Sequence, residues 1–327
     1  MATQINPALA RLWIANSTRQ YGYRNFTQLT QLQEDQLRVL DYLEQGLTKN
    51  QIGNLDQIAK VSTNRSQELL ARISPVLWQS SETLSTSEIE QRFAEISRIF
   101  LQGADPVEIL RLRLSKKIYV EKLDATGFTI CKALDLAGIG KLISFDQKRI
   151  QLPDVGPLSF TKAQLGLPRV KAAQSLIGKK LEFHSRISKS LDEISLAVIL
   201  ANDVVDPNSY QRWLARDIPH FAICFDEEGV EVSPLVIPGK TACLGCQELS
   251  RLQQIENWPV IAPQLLALER DLADAPMLLF ASGIAVNNIL NFVDSGEVTS
   301  EAFRLTRSGE LACFTPTNIS CGCRLAQ

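Results

Sequence analysis

Hydrophobic and polar positions divide the chain into two parts with different patterns. Between residues 9 and 29, aromatic and β-branched side chains recur between polar breaks, which predicts short strands. Between residues 34 and 77, three stretches carry apolar side chains at helical spacing, and Gly46 is a predicted helix end. Strands beside short helices predict a small winged-helix-like α+β domain over residues 1–78.

A hydroxyl-rich stretch separates this domain from the rest of the chain. Residues 79–87 contain six serines and threonines, which predicts a linker, and residues 89–101 fit an amphipathic helix. We therefore assign residues 79–112 to a linker and a helix. Over residues 113–327, short apolar runs alternate with helical stretches, which predicts an α/β fold with a mainly parallel sheet and functional residues at its carboxyl edge. The runs cover residues 118–120, 142–145, 196–200 and 221–225.

Composition and charge narrow the classes of function. The 327 residues are 45% hydrophobic and carry 34 basic and 36 acidic side chains, so nothing favours non-specific binding to nucleic acid. A winged-helix DNA-binding regulator remains an alternative for the amino-terminal part, although it lacks the usual basic surplus. Residues 1–10 do not resemble a secretory signal, so we expect a cytoplasmic protein. The apolar stretch 275–290 is interrupted by polar residues, which predicts a buried helix and no membrane span.

Four of the seven cysteines form two close pairs. Cys243 and Cys246 are three positions apart, and Cys321 and Cys323 are two apart. Four thiolates can complete a closed tetrahedral Zn²⁺ site, in which the ion is structural because no coordination position is open. The alternative is four unconnected thiols. A zinc site would join the end of the chain to the segment around Cys243.

A second pattern points to a nucleotide. A strand, a turn, a helix and a second strand ending in Asp146 follow the order in which open α/β folds bind nucleotides. Gly127 fits the last glycine of a G-x-G-x-x-G loop, but Lys122 and Asp124 stand at the other two glycine positions. Their side chains would crowd the loop, and the Asp124 carboxylate would repel phosphate.

From about residue 118 to 327, these motifs resemble the ThiF/MoeB/HesA superfamily, the relatives of the ubiquitin-activating enzymes. The resemblance is closest to the branch associated with cyclodehydratases and ribosomal-peptide maturation, and it could extend to the amino terminus through residues 9–13. It implies a Rossmann-like ThiF-type domain and a nucleotidyltransferase that adenylates a carboxyl terminus with ATP and Mg²⁺. The matching segments are residues 137–140, 166–170, 203–206, 234–246 and 258–259, together with the two cysteine pairs.

The resemblance also implies roles for individual residues. Asp146 matches the ribose-binding acid, and Asp206 matches the aspartate that holds Mg²⁺. Arg169 stands at the position of a phosphate-binding lysine. The Asn and Arg-Gln arm of the family has no clear match unless Lys148 or Arg149 replaces it. We therefore predict catalytic roles for Asp206 and Arg169. The predicted cofactor-binding residues are Gly127, Asp146, Arg169, Asp203 and Asp206.

Simpler interpretations of the same residues remain. The three aspartates could be helix N-caps or turn residues, and Arg169 could be a surface charge. Two functions follow from the resemblance. The first is ATP-dependent adenylation of a peptide or small-protein carboxylate in a modification or biosynthetic pathway. The second is a catalytically degenerate member whose amino-terminal domain binds a precursor peptide for a partner modification enzyme. Either protein would act on a precursor peptide or small carrier protein, and the family commonly forms homodimers.

Overall fold

The computed structural model describes residues 2–80, 92–178, 181–183, 193–316 and 321–323. The chain forms two compact units, Met1–Arg111 and Leu112–Gln327. Of the predicted linker, residues 79 and 80 belong to a strand, and residues 81–87 lie outside the described residues. The domain boundaries drawn from the sequence stay predictions.

The first unit combines short antiparallel strands with short helices. Strands β5, β1 and β6 form one three-stranded sheet, and β2, β3 and β4 form another. The strands are β1 (Ala2–Ile5), β2 (Arg11–Ala15), β3 (Thr18–Tyr21), β4 (Thr27–Leu29), β5 (Leu47–Thr48) and β6 (Leu77–Ser80). The helices are α1 (Glu34–Gln45), α2 (Lys49–Gly53), α3 (Leu55–Ala59), α4 (Thr63–Ile73) and α5 (Phe93–Leu101). This composition confirms the small α+β unit that the sequence predicts.

Helix α1 shows why the local pattern was informative. It buries Val39, Leu40 and Leu43 on one face, at the spacing expected for an amphipathic helix. It ends at Gly46, which has a φ of 90° that side-chain-bearing residues rarely adopt. Residues 47–61, predicted as one helical stretch, instead contain a short strand and two short helices that meet at Asn54.

The second unit is built on one eight-stranded sheet. Its order is β14-β13-β12-β11-β10-β7-β8-β9. Strands β11, β10, β7, β8 and β9 are parallel, and β12, β13 and β14 extend the sheet in antiparallel pairs. The strands are β7 (Lys117–Val120), β8 (Lys141–Ser144), β9 (Leu181–Phe183), β10 (Leu196–Asn202), β11 (His220–Phe225), β12 (Gly229–Val232), β13 (Ala302–Thr306) and β14 (Leu311–Phe314).

Helices cover both faces of the parallel part of the sheet, as a continuous apolar strand requires. Leu196 and Val198 of β10 belong to one buried cluster, whereas Ala197 and Ile199 belong to another that includes Trp213. The helices are α6 (Pro106–Ser115), which spans the boundary between the units, α7 (Ala125–Leu136), α8 (Arg169–Ile177), α9 (Pro207–Leu214), α10 (Leu244–Gln254), α11 (Trp258–Leu266) and α12 (Ala275–Ser295). The mainly parallel α/β fold is thereby confirmed.

Helix α12 is, among the described residues, the one helix long and apolar enough to cross a membrane by length and composition alone. Half of its most apolar window is buried within the protein. Ala281, Ala285 and Ile289 belong to the main core cluster, and the helix packs against α7 and β12. The predicted buried helix therefore lies over residues 275–295.

The order of the strands creates a crevice. From β7 the chain passes through α7 to β8 and then to β9 on one side, and it returns to β10 and β11 on the other side. The direction of winding reverses between β7 and β10. Open α/β sheets bind their ligands at such a switch point, outside the carboxyl ends of the strands.

Candidate functional site

A polar cleft of about 460 Å³ lies at this switch point. Its walls come from the loops that follow β7, β8 and β10, the start of α8, and the segment after α11. The charged residues that line it are Glu121, Lys122, Asp124, Lys148, Asp154, Arg169, Asp206, Arg212, Glu269, Arg270 and Asp271. The cleft therefore contains two of the predicted site residues, Arg169 and Asp206.

The loop between β7 and α7 is closed by its own side chains. Asp124 is the N-cap of α7, and its Oδ1 accepts a hydrogen bond from the Gly127 backbone N at 3.0 Å. Burial raises the pKa of Asp124, and the Gly127 hydrogen bond opposes that shift. A Cβ on Gly127 would lie 1.8 Å from the Lys122 carbonyl oxygen, so only glycine fits here. Gly127 thus allows the strand, the loop and the helix to pack closely.

Asp146 lies buried at the end of β8, where its carboxylate holds two loops together. Its Oδ2 accepts from the Leu123 backbone N at 2.7 Å, and its Oδ1 accepts from the Lys148 backbone N at 2.8 Å. The Arg169 guanidinium donates to the same Oδ2 at 3.2 Å. Both oxygens therefore have partners within the chain.

Arg169, the first residue of α8, forms a bidentate ion pair with Asp154. Its Nε and Nη2 donate to the two carboxylate oxygens at 2.9 and 2.7 Å. The three side chains of Arg169, Asp146 and Asp154 are all buried, and we call them the arginine clamp. Arg169 lines the cleft, but its guanidinium already binds two carboxylates. The sequence analysis did not identify Asp154, because the loop that carries it shows no pattern of its own.

Asp203 and Asp206 follow β10 and have different partners. Asp203 has a φ of 64° and is buried, and its carboxylate accepts hydrogen bonds from the Arg270 guanidinium, with Nε at 3.0 Å. Arg270 also binds Glu227 at 2.7 Å. Asp206 is the exposed N-cap of α9, and its Oδ1 accepts from the Asn208 backbone N at 2.9 Å. Asp206 therefore presents its carboxylate to the cleft, whereas Asp203 is bound by Arg270.

The four predicted metal ligands come together at the start of α10. Cys243 is the N-cap of this helix and Cys246 lies in its first turn. Their sulfur atoms are 3.8 Å apart, and Cys321 Sγ lies 3.3 and 3.4 Å from them. Cys323 Sγ lies 3.6 Å from Cys246 Sγ, and all four sulfur atoms lie within 4.8 Å of one another.

This donor set fits Zn²⁺. Zn–S bonds of about 2.3 Å in a tetrahedron place the sulfur atoms about 3.8 Å apart, close to the observed distances. Burial raises the pKa values of the Cys243 and Cys321 thiols and opposes ionisation of Cys246, but hydrogen bonds with Cys321 lower the pKa of Cys246 to about 7. A Cβ on Gly245 would lie 3.3 Å from the Tyr210 hydroxyl and 3.4 Å from Cys243 Sγ, so a glycine gives the cluster room. The predicted cluster of four thiols is thus present.

Comparison with known proteins gives a consistent picture. No family model matches the chain. Ubiquitin-like modifier-activating enzyme 5 of Drosophila sechellia is 26% identical over 199 residues, which cover 51% of this chain and 49% of the relative. The chain therefore spans about half the length of the curated relatives that it matches.

Solved structures match over the whole chain. E. coli MccB with ATP has a TM-score of 0.72 at 12% identity, and the match covers 100% of both chains. E. coli MccB with AMPCPP and MccA has a TM-score of 0.70 at 13% identity, with 99% of both chains covered. Together with the sequence similarity, these matches confirm the resemblance to the ThiF/MoeB/HesA superfamily and its ThiF-type fold.

Proposed function

We propose that this protein uses ATP and Mg²⁺ to adenylate the carboxyl group of a peptide or small protein. The observation that carries the proposal is the polar cleft at the switch point between β7 and β10, where an open α/β sheet binds its ligand. Solved structures of E. coli MccB with ATP, and with AMPCPP and MccA, support this choice because they share the fold.

The four charged residues that the resemblance assigns to the nucleotide site have roles in this proposal. Asp206 supplies a carboxylate oxygen for Mg²⁺, a hard cation that prefers such ligands. The resemblance assigns Asp146 to the ribose, and in this structure its oxygens hold the Leu123 and Lys148 backbones in place. Arg169, which the resemblance assigns to phosphate, lines the cleft and also fixes the loop that carries Asp154. Asp203 orients Arg270 at the wall of the cleft.

The proposal also includes the metal, the substrate class, the oligomeric state and the cellular location. Cys243, Cys246, Cys321 and Cys323 hold a structural Zn²⁺ that joins the end of the chain to α10. The substrate is a precursor peptide or small carrier protein, the protein acts as a homodimer, and it works in the cytoplasm. MccA, which accompanies E. coli MccB in a solved structure, supports a peptide partner.

Nucleotide binding by the full chain tests this function. Calorimetry with ATP and Mg²⁺ should give saturable heat, and candidate peptides should promote exchange of labelled pyrophosphate into ATP. Asp206→Asn should weaken the Mg²⁺ dependence, because an amide is a poorer ligand for a hard cation than a carboxylate is. Asp217→Asn, at an exposed position beyond the end of α9, is the matched control. The absence of both heat and exchange would exclude adenylation.

A second candidate function rests on a specific observation. The Asp124 carboxylate occupies the first turn of α7, and the arginine clamp uses the cation that the family resemblance assigns to phosphate. A protein of this kind could bind a precursor peptide for a partner modification enzyme without using ATP. Binding of a candidate precursor by the full chain, with no heat from ATP, would favour this function.

A further inference from the structure

Two lysines line the cleft, and within the described part of the chain their ammonium groups form no hydrogen bond or ion pair. Lys122 lies in the loop between β7 and α7, and Lys148 follows β8. The arginines of the same cleft differ. Arg169 binds Asp146 and Asp154, and Arg270 binds Asp203 and Glu227. Arg212 lies 3.9 Å from Glu121. Burial raises the pKa of both Glu121 and Asp124 and the charge of Lys122 acts to lower it, but neither lysine is held in an ion pair with a described residue, so both ammonium groups can reach a ligand.

Two backbone N–H groups of the loop are already bound within the chain. A glycine-rich loop binds phosphate through backbone N–H groups at the start of a helix. Here the Leu123 N donates to Asp146 and the Gly127 N donates to Asp124, at 2.7 and 3.0 Å. The carboxylate of Asp124 also adds a negative charge at that position. Cationic side chains would therefore have to add to the N–H groups that the loop still offers an anion.

We propose that Lys122, assisted by Lys148, binds the phosphate groups of a nucleoside triphosphate in this cleft. This inference rests on the proposed function and identifies the residues that replace the glycine loop. The position of the Lys122 main chain is fixed, because its carbonyl packs against Gly127 and the following amide is held by Asp146. Its ammonium group carries three donors on a flexible stem, which suits a phosphate without a bidentate geometry.

The balance of charge defines the form of the ligand. The cleft is lined by six carboxylates and five cationic side chains, three of which are the paired arginines. A bare triphosphate would meet a net negative surface, whereas its Mg²⁺ complex carries less charge and can be bridged to Asp206. We therefore expect the two lysines to contact phosphate oxygens that the metal leaves free.

Substitution of Lys122 tests whether its side chain binds phosphate or blocks the nucleotide site. Lys122→Gly restores the residue type of a glycine loop. If the lysine blocked the site, this change would tighten binding, but the proposal requires it to weaken ATP·Mg²⁺ binding by about tenfold, as the loss of one charged contact does. Lys122→Met should weaken binding similarly, and Lys122→Arg should retain most of it. Lys171→Met, exposed on α8, is the control and should leave affinity unchanged.

Calorimetry with ATP and with adenosine completes the test. Lys122→Met should lose affinity for ATP and keep its affinity for adenosine, because adenosine has no phosphate. Thermal unfolding of each variant shows whether the fold is retained. Unchanged or tighter ATP binding by Lys122→Gly would overturn the role of Lys122 while the proposed function stands. Failure of the wild-type protein to bind ATP would overturn both.

Discussion

The four-cysteine cluster and the cleft lie in the same unit, yet they use their chemical groups in opposite ways. The sulfur atoms of the cluster face one another at distances that suit a shared ion. In the cleft, most of the charged groups that a ligand would need are bound to other residues of the chain, as in the arginine clamp. The cluster is arranged as a ligand set for an ion, whereas most charges of the cleft are bound to other residues of the chain.

This difference shows what residue type alone reveals. Four thiols close together gain little from one another, so their convergence points to a metal. A carboxylate and a guanidinium neutralise each other, so their convergence can complete a structural pair as readily as a binding site. The same side chains, Asp146 and Arg169, are therefore weaker indicators of a ligand than the cysteines are.

Loss of the metal is the largest expected effect. Cys246→Ser should reduce bound zinc from about one equivalent to nearly none and lower the melting temperature by about 10 °C or more, because the binding free energy of a structural Zn²⁺ contributes to folding. Elemental analysis and thermal unfolding measure both changes. Cys313→Ser removes an exposed thiol outside the cluster and should change neither. If the wild-type protein contains no zinc and is as stable as Cys246→Ser, the four cysteines do not form a metal site, and their contrast with the cleft fails.

Disruption of the arginine clamp should come next. Arg169→Met leaves the buried carboxylates of Asp146 and Asp154 without their cation, so the free energy of unfolding should fall by about 3–5 kcal/mol. Urea unfolding at neutral pH measures this change. Lys171→Met, on the exposed face of the same helix, should alter it by less than about 0.5 kcal/mol. Equal and small effects of both variants would show that Arg169 is not an internal clamp.

The parts of the fold that the sequence predicted are those set by local pattern. The amphipathic spacing of α1 and the continuous apolar runs of β10 and β11 depend on residues close in the chain. Strands β12, β13 and β14 were not predicted. They are short, and β12 and β13 carry charged residues such as Glu231 and Arg304. The pairing of β12 with β13 also joins segments that are far apart in sequence.

In the candidate site, too, some features depend on neighbouring residues and others on residues that are distant in sequence. The pair Cys243 and Cys246 is fixed within one helical turn, and this spacing was readable. Arg270 lies 67 positions from its partner Asp203, and Asp154 lies 15 positions from Arg169. No local signal links either pair. The sequence therefore indicates which side chains have suitable chemistry. Which of them form ion pairs with other residues of the chain depends on the tertiary fold.

Freeing the loop should change nucleotide binding more than stability. Asp124→Gly removes the carboxylate that caps the first turn of α7. Because glycine is itself an acceptable N-cap, the free energy of unfolding should fall by only a few tenths of a kcal/mol. Affinity for ATP·Mg²⁺ should rise about fivefold, since one repulsive charge worth about 1 kcal/mol is gone. Calorimetry measures this gain, with Asp217→Asn as the control. A lower affinity of Asp124→Gly for ATP·Mg²⁺ would show that Asp124 assists binding of the nucleotide, which contradicts the view that its carboxylate serves only the chain itself.

The smallest effect concerns Glu121, which lies beside the cleft with its carboxylate accepting from the Leu200 backbone N at 3.1 Å. Burial raises its pKa, and the charges of Lys122 and Arg212 only partly oppose this shift. The folded protein therefore holds this proton more tightly than the unfolded chain does. Its contribution to stability is complete below the ordinary glutamate pKa of about 4.3 and is lost as the pH rises through the higher folded value.

Glu121→Gln should remove this dependence while keeping an oxygen acceptor for Leu200. The free energy of unfolding, measured in urea from acidic to neutral pH, should fall more steeply with rising pH in the wild-type protein than in the variant. Glu269→Gln removes one charge from an exposed position of the same cleft and serves as the control. If the free energy of unfolding depends on pH in the same way for the wild-type protein and Glu121→Gln, the Glu121 carboxylate is as well solvated in the folded protein as in the unfolded chain. The charges of the cleft would then be less constrained than those of the arginine clamp.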